Sequence, residues 1–400
     1  MKRRRVKITG LGFVTPAGIG KEAFWNGILE PVSRVRLSTK FPEAAGAFVS
    51  ADVRDFRLED YLPNVPGKRM PRHTQFALAA ATLAAQDAGI TLQHLRGHGA
   101  IVMIGATLMD FGVINKGVDI IVKKGPINAL PTSVTTALVS AIGAAVGEAI
   151  GGTTRTMSLQ SACCSGLDAI GRSAEMIANG EAEIAVCGGA EAPLYFHPML
   201  ELKLAGLAPG NPDHPERQCR PFDQWRTTGV IGEGACIMVL ESEDSPRPGY
   251  AYVGGYSYAS DPAASPCAGL AEAMRLTLGN TGLRPRDIEC INAWGPGHKT
   301  LDAAEARVLQ DYFGPELADI PAVSLKGAIG NPLGAAGAIQ VGCAALSLSR
   351  SAIPPTVNWE HPDPSCPLNL SGKTRYIAHR TTLINAHGLS GANACLVLNQ

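Results

Sequence analysis

The sequence predicts an α/β fold built on a mostly parallel sheet, and three observations carry that expectation. Short β-rich runs alternate with Ala-rich helical stretches along the chain, the pattern left by strand–helix–strand units. Hydrophobic residues occupy 46% of the 400 positions, enough to fill the core of one large domain or two fused halves. The 45 glycines and frequent alanines suit close packing of helices on sheets.

Taken in order, VKITGLGFV (6–14) reads as the first strand and FALAAATLAAQDAG (76–89) as a helix. AIVMIGAT (100–107) then reads as a strand, TTALVSAIGAAVGEAI (135–150) as a helix, and EIAVCGGAE (183–191) and ACIMVLE (235–241) as strands. A proline-rich turn at Ser245-Pro246-Arg247-Pro248 interrupts the order. It resumes with AYVGGYSYA (251–259), the helix GLAEAMRLTLGNTG (269–282), IECINAWG (288–295), AAEARVLQDYFG (303–314) and AVSLKGAIG (322–330). The helix after Cys163, followed by EIAVCGGAE, is matched in pattern by LGAAGAIQVGCAALSLSR (333–350) followed by Ile353 to Asn358. That faint repeat predicts two similar halves, 1–245 and 246–400, joined as one rigid body by a short linker.

Composition excludes several classes. Basic and acidic residues balance at 35 each, so nothing global points to nucleic acid or an anionic membrane. The basic cluster Lys2 to Arg5 runs into a segment broken by Gly and Pro, which reads as a strand and not as a leader. The longest apolar stretch, Ala137 to Gly147, falls well short of the roughly 20 residues that a spanning helix needs. Ten scattered cysteines without paired metal-ligand spacing fit a reducing cytoplasm and no metal site.

Ser161-Ala162-Cys163-Cys164-Ser165-Gly166 places a cysteine on a tight turn before an apolar helix that begins at Leu167 and stops near Gly180. Unpaired N–H groups and the positive end of the helix dipole stabilise a thiolate there, which predicts a Cys163 pKa lowered from about 8.5 toward neutrality. A free cysteine is also a common inert core residue. Three later segments, Ile291 to Gly295, Ser324 to Asn331 and Asn385 to Gly391, each read as a strand end entering a Gly-rich loop. Active sites of α/β sheets assemble at such junctions.

With these motifs in order, the chain resembles the β-ketoacyl-ACP synthases of the thiolase-fold, condensing-enzyme type. The resemblance spans nearly the whole length. It is carried by Thr9 to Gly12, the Cys163 turn, Cys219-Arg220-Pro221-Phe222-Asp223 with Arg226, Gly232 to Ala235, the Lys326 loop with Leu333 to Gly337, and Pro354 to Asn358. It implies a five-layered α/β/α/β/α fold made of two similar halves. The half 1–245 carries the nucleophile, and 246–400 carries the Trp294, Asn331 and Gly388 loops.

The family's chemistry implies that Cys163 accepts an acyl chain from the phosphopantetheine arm of an acyl carrier protein, with no other cofactor. The backbone N–H groups of Cys163 and Leu389 would hold the thioester oxygen. Tunnel shape would come from residues around Gly105 to Leu130. The unit would be a homodimer, or a heterodimer with another subunit of the family. Basic Lys68, Arg69 and Arg72 are candidates to meet the acidic carrier, although solvated charge explains such residues equally well.

The sequence departs from the family pattern where two histidines are usual. Trp294 stands for one and Asn331 for the other. An amide still donates hydrogen bonds, whereas an indole offers one N–H and accepts no proton. Pro296 and His298 occupy two threonine positions of the pantetheine contacts, and His387 with Gly388-Leu389-Ser390 replaces a Phe-Gly-Phe-Gly gate. Gln340 replaces a glutamate, which predicts loss of a partner for Lys326. His387 and His298 are candidates for a relocated base or for loop structure. Two functions follow: an acyl-transferring enzyme of fatty-acid or type II polyketide biosynthesis, or a non-elongating, chain-length-factor-like partner of an active synthase.

Overall fold

The protein is described by a computed structural model covering residues 3–262 and 265–400, so Lys2 of the basic cluster and the side chain of Arg69 lie outside it. Ten strands form one continuous path. They are β1 (Val6–Thr15), β2 (Ile101–Gly105), β3 (Arg155–Leu159), β4 (Ile184–Glu191), β5 (Gly234–Ser242), β6 (Tyr252–Ser260), β7 (Cys290–Asn292), β8 (Ala322–Val323), β9 (Thr381–His387) and β10 (Ala392–Asn399). Their order is β8-β7-β9-β10-β6-β1-β5-β4-β2-β3.

The pairing corrects the expectation of a mostly parallel sheet. β1/β5 and β5/β4 are antiparallel, while β4/β2 and β2/β3 are parallel. The other half repeats this sequence: β6/β10 and β10/β9 are antiparallel, and β9/β7 and β7/β8 parallel. Within the sheet, the halves join at the short antiparallel contact of Val6 and Lys7 with Val253 and Tyr252. Adjacent β-rich runs need no helical crossover when they pair antiparallel, so an alternating pattern alone does not impose a parallel sheet.

Helices complete five layers. α1 (Arg72–Asp87) and α2 (Ser140–Ile150) cover the outer face of the first half, and α4 (Ala268–Thr281) with α5 (Lys299–Phe313) covers that of the second. Between the two halves of this sheet lie α3 (Ser165–Ala178) and α6 (Ala336–Arg350), packed on each other and against strands of both halves. These two are the helices of the sequence repeat. Almost every residue of α6 is buried, because a central layer has no solvent face. The helix expected over 135–150 is broken: Ser133–Thr136 forms a separate turn before α2. α3 starts at Ser165 and ends as expected, with Gly180 at φ +79° just beyond it.

Candidate active site

The turn before α3 is strained and tied to its own helix. Ala162 adopts φ +52°, a conformation rare for residues with a side chain. Ser165 Oγ donates to Ala162 O at 2.5 Å and accepts from Ser161 N at 2.9 Å. The Ser161 hydroxyl bonds Asp168, whose other oxygen accepts from Tyr256 at 2.8 Å. This brace turns Cys163 toward the second half of the chain. There Gly388 packs so closely that an added Cβ would lie 2.7 Å from Ala162 Cβ and 3.3 Å from Cys163 N.

Cys163, Trp294 and Asn331 converge on one cavity, together with Pro296, His298 and Leu389. Its volume, about 20 Å³, suffices for a single water. Trp294 and Asn331 are buried, yet Trp294 Nε1 and Asn331 Oδ1 have no hydrogen-bond partner among the described residues. Each lies on a firmly held backbone. Glu305 accepts from the N–H groups of Trp294 and Gly295 at 2.8 Å each. Gly295 sits at φ +38°, where a Cβ would strike the Phe222 ring at 2.4 Å. Asn331 is held from both sides, by its N–H on Val230 O at 2.7 Å and its C=O on Gly232 N at 2.9 Å.

The thiol contradicts the expectation of a pKa near neutrality. Burial pushes Cys163 up to about 12, and the carboxylate of Glu191 adds to the rise. Lys326 and the backbone N–H groups of Leu389 and Cys163, which face the sulfur, pull only partly the other way. Desolvation in a closed, apolar cavity outweighs the helix terminus. Cys163 belongs to a buried apolar cluster with Phe48, Leu194, Met199, Ile231 and Leu333. Of the stretch from Gly105 to Leu130, Leu108 joins this cluster.

The expectation for Gln340 is corrected, and the other candidate residues take the following places. Gln340 does not deprive Lys326 of a partner: its Oε1 accepts from Lys326 Nζ at 2.7 Å. Lys326 is buried behind the cavity and does not line it, and burial lowers its pKa to about 8. His387 is likewise absent from the walls around Cys163. It closes β9, with its ring centroid 5.1 Å from that of Trp294 and the planes at 71°. His298 caps α5, its Nδ1 accepting from Thr300 N at 3.2 Å and Leu301 N at 3.4 Å. Arg72 is turned inward onto Glu233 at 2.8 Å and Val53 O, while Lys68 is exposed.

Two family models account for most of the chain: "Beta-ketoacyl synthase, N-terminal domain" over residues 3–245 and "Beta-ketoacyl synthase, C-terminal domain" over 249–360. The chain belongs to the β-ketoacyl synthase family. Among curated relatives, the 3-oxoacyl-[acyl-carrier-protein] synthase 2 of Coxiella burnetii is 30% identical, over 100% of this chain and 99% of that protein. Its counterpart in Synechocystis is 29% identical with the same coverage. Among solved structures, the ishigamide ketosynthase/chain length factor superposes with a TM-score of 0.92 at 29% identity, over 100% of this chain and 99% of the other. A type II polyketide ketosynthase solved with its acyl carrier protein gives 0.88 at 25% identity, over 99% of both.

Within this β-ketoacyl synthase fold, sequence reasoning missed Glu191. It is buried at the end of β4, where it accepts from the N–H groups of Thr107 at 2.6 Å, Leu108 at 3.2 Å and Gly334 at 3.1 Å. Burial raises its pKa to about 7. The signal was an acidic residue ending the apolar run EIAVCGGAE, since a charge there needs donors from elsewhere. Also missed were the leucines that close the Cys163 cavity, Leu202, Leu207 and Leu301, whose role depends on contacts remote in sequence.

Proposed function

We propose that this protein is an acyltransferase of fatty-acid or type II polyketide biosynthesis, working on chains carried by the phosphopantetheine arm of an acyl carrier protein. Cys163 takes the acyl group, and the N–H groups of Cys163 and Leu389 hold the thioester oxygen. Trp294 Nε1–H and the Asn331 amide serve as neutral donors where two imidazoles are usual. Pro296 and His298 line the path of the arm. The first half, 1–245, supplies the nucleophile, and the second, 246–400, the surrounding loops. One observation carries the reading: Trp294, whose Nε1–H donor has no partner among the described residues, lines the cavity that holds Cys163, and so does Asn331, whose unpartnered atom is the acceptor Oδ1. A buried polar atom without a partner is costly unless a ligand or water satisfies it.

The same donors limit condensation. Loss of one good oxyanion donor costs about 3 kcal/mol, roughly a hundredfold in rate, and an indole supplies no acid–base help. A second reading, a non-elongating or chain-length-factor-like subunit of an active synthase, is favoured by the small volume around Cys163. An unpaired edge bears on the subunit partner under either reading. β3 ends the sheet with Met157 exposed, and elsewhere in the first half the helix Phe111–Lys124 exposes Val118, Ile121 and Val122. An open apolar edge of this kind suits a second subunit of the family, identical or not.

Intact-protein mass spectrometry of the wild type and Cys163→Ala, each incubated with a panel of acyl carrier thioesters, tests both readings. A mass gain confined to the wild type supports the enzyme. No gain with any donor, in folded protein, overturns it in favour of the partner subunit.

A further inference from the structure

A second cavity adjoins the one that holds Cys163. Its volume is about 390 Å³, and Asp261, Pro262, Ser265, Leu301, His387, Leu389 and Ser390 contribute to its walls. Leu301 and Leu389 line both cavities and so form the partition between them. Leu389 is the looser of the two, with 48% of its surface exposed.

The hydrogen bonds of His387 settle its tautomer. Asn393 Nδ2 donates to Asp261 Oδ1 at 2.6 Å and to Gly391 O at 3.1 Å, so the amide is oriented with Oδ1 toward the histidine. His387 Nδ1 lies 2.9 Å from that oxygen, which can only accept. In the neutral ring the proton therefore sits on Nδ1, and Nε2 keeps a free lone pair. Behind the pair, Asp261 Oδ2 is 3.8 Å from Nδ1 and is anchored by Cys267 N at 3.0 Å. An imidazole whose Nδ1–H is held by an oriented acceptor, with a carboxylate beyond, is arranged as a general base. His298, in contrast, spends its Nδ1 lone pair on two backbone N–H groups, so its free nitrogen is a donor.

We propose that His387 activates an acceptor held in this second cavity, a small alcohol or amine that attacks the acyl thioester on Cys163. This rests on the reading of Cys163 as the acylated residue. No Lys or Arg lines the cavity among the described residues, so a malonyl carboxylate has no counter-ion there, whereas Asp261 and Ser390 suit a neutral or cationic group. In the step, the acceptor oxygen or nitrogen bonds to the acyl carbonyl carbon and its proton passes to His387 Nε2. The C–S bond then breaks, its electron pair stays on Cys163 sulfur, and the proton returns to that sulfur. An ester or amide and a free thiol result, with no net oxidation or reduction. The acceptor reaches the thioester past Leu389.

The test separates this step from loading. Wild type, His387→Asn and His387→Phe are first acylated, with loading followed by intact mass, and then given n-propanol, ethanolamine or malonyl carrier protein. His387→Asn keeps a donor toward Asn393 but has no base. Each rate is normalised to the loaded fraction, which also reports folding. The expected result is release of propyl ester or ethanolamine amide by the wild type, falling about 100-fold or more in both variants. Loaded wild type that is stable to both acceptors overturns the proposal, as does transfer that persists in a loaded variant. Failure of the wild type to load overturns the reading of Cys163 on which it depends.

Discussion

Lys326 Nζ donates to Gln340 Oε1 across 2.7 Å, and both side chains are shut off from solvent. The amide nitrogen of Gln340 in turn faces the carbonyls of Asn292, Ala293 and Asn385, each at 3.0 Å. One side chain of the central helix α6 thus ties the ends of β7 and β9 together and holds a buried ammonium. Gln340→Ala should cost about 3 kcal/mol or more, because it takes the acceptor from a buried ammonium and removes the two N–H donors that those carbonyls share. Chemical denaturation checks this. A loss below about 1 kcal/mol would mean that Lys326 finds another partner.

Cys163 is a thiol, not a resting thiolate. With its pKa raised to about 12 by burial, the reactive fraction grows tenfold per pH unit below that value. Alkylation by iodoacetamide should therefore climb about tenfold per unit from pH 7 to 10 without a plateau. A plateau near neutrality in the site-resolved kinetics would show that the cavity opens enough to rehydrate the sulfur.

Trp294→Phe isolates the indole donor. Because Nε1 bonds no group of the described protein, the stability loss should be only that of the buried volume removed, about 1–2 kcal/mol. Acyl transfer, measured as turnover of loaded enzyme, should fall about 100-fold if the N–H stabilises the developing charge. Equal turnover in the two proteins would assign Trp294 to packing alone.

Gly388→Ala places a methyl group 2.7 Å from Ala162 Cβ. Relief requires the loop or the Cys163 turn to shift, at a cost of about 1–3 kcal/mol. Loading of Cys163 should fall along with the melting temperature. An unchanged loading rate would show that the turn and the Gly388 loop are not mechanically coupled.

His298→Ala removes the cap of α5. The expected loss is about 1 kcal/mol, read by thermal unfolding. Substitution by Asn, another good cap, should recover most of it. A stability loss that Asn does not repair would place the role of His298 in the cavity wall instead.

The amino-acid sequence by itself determined the local elements, since hydrophobic periodicity and turn residues act over a few positions. The strands at 6–15, 184–191 and 252–260, the helix stopped at Gly180, and the tight turn at Ser161 to Gly166 were all legible there. So were the three loops after strand ends that supply Trp294, Asn331 and Gly388, and the family to which their order points. The tertiary structure decided what depends on distant neighbours. Strand direction follows from how connections cross the sheet, so the alternation of segments did not reveal its antiparallel centre. The Cys163 pKa is set by how much water the assembled walls exclude, and that desolvation overrode the helix terminus. Likewise the partner of Lys326, the position of His387 outside the Cys163 cavity and the burial of Glu191 arise from contacts between segments far apart in the chain. Hydrogen bonds and burial act over a few ångströms in space, and only folding brings such residues within that range.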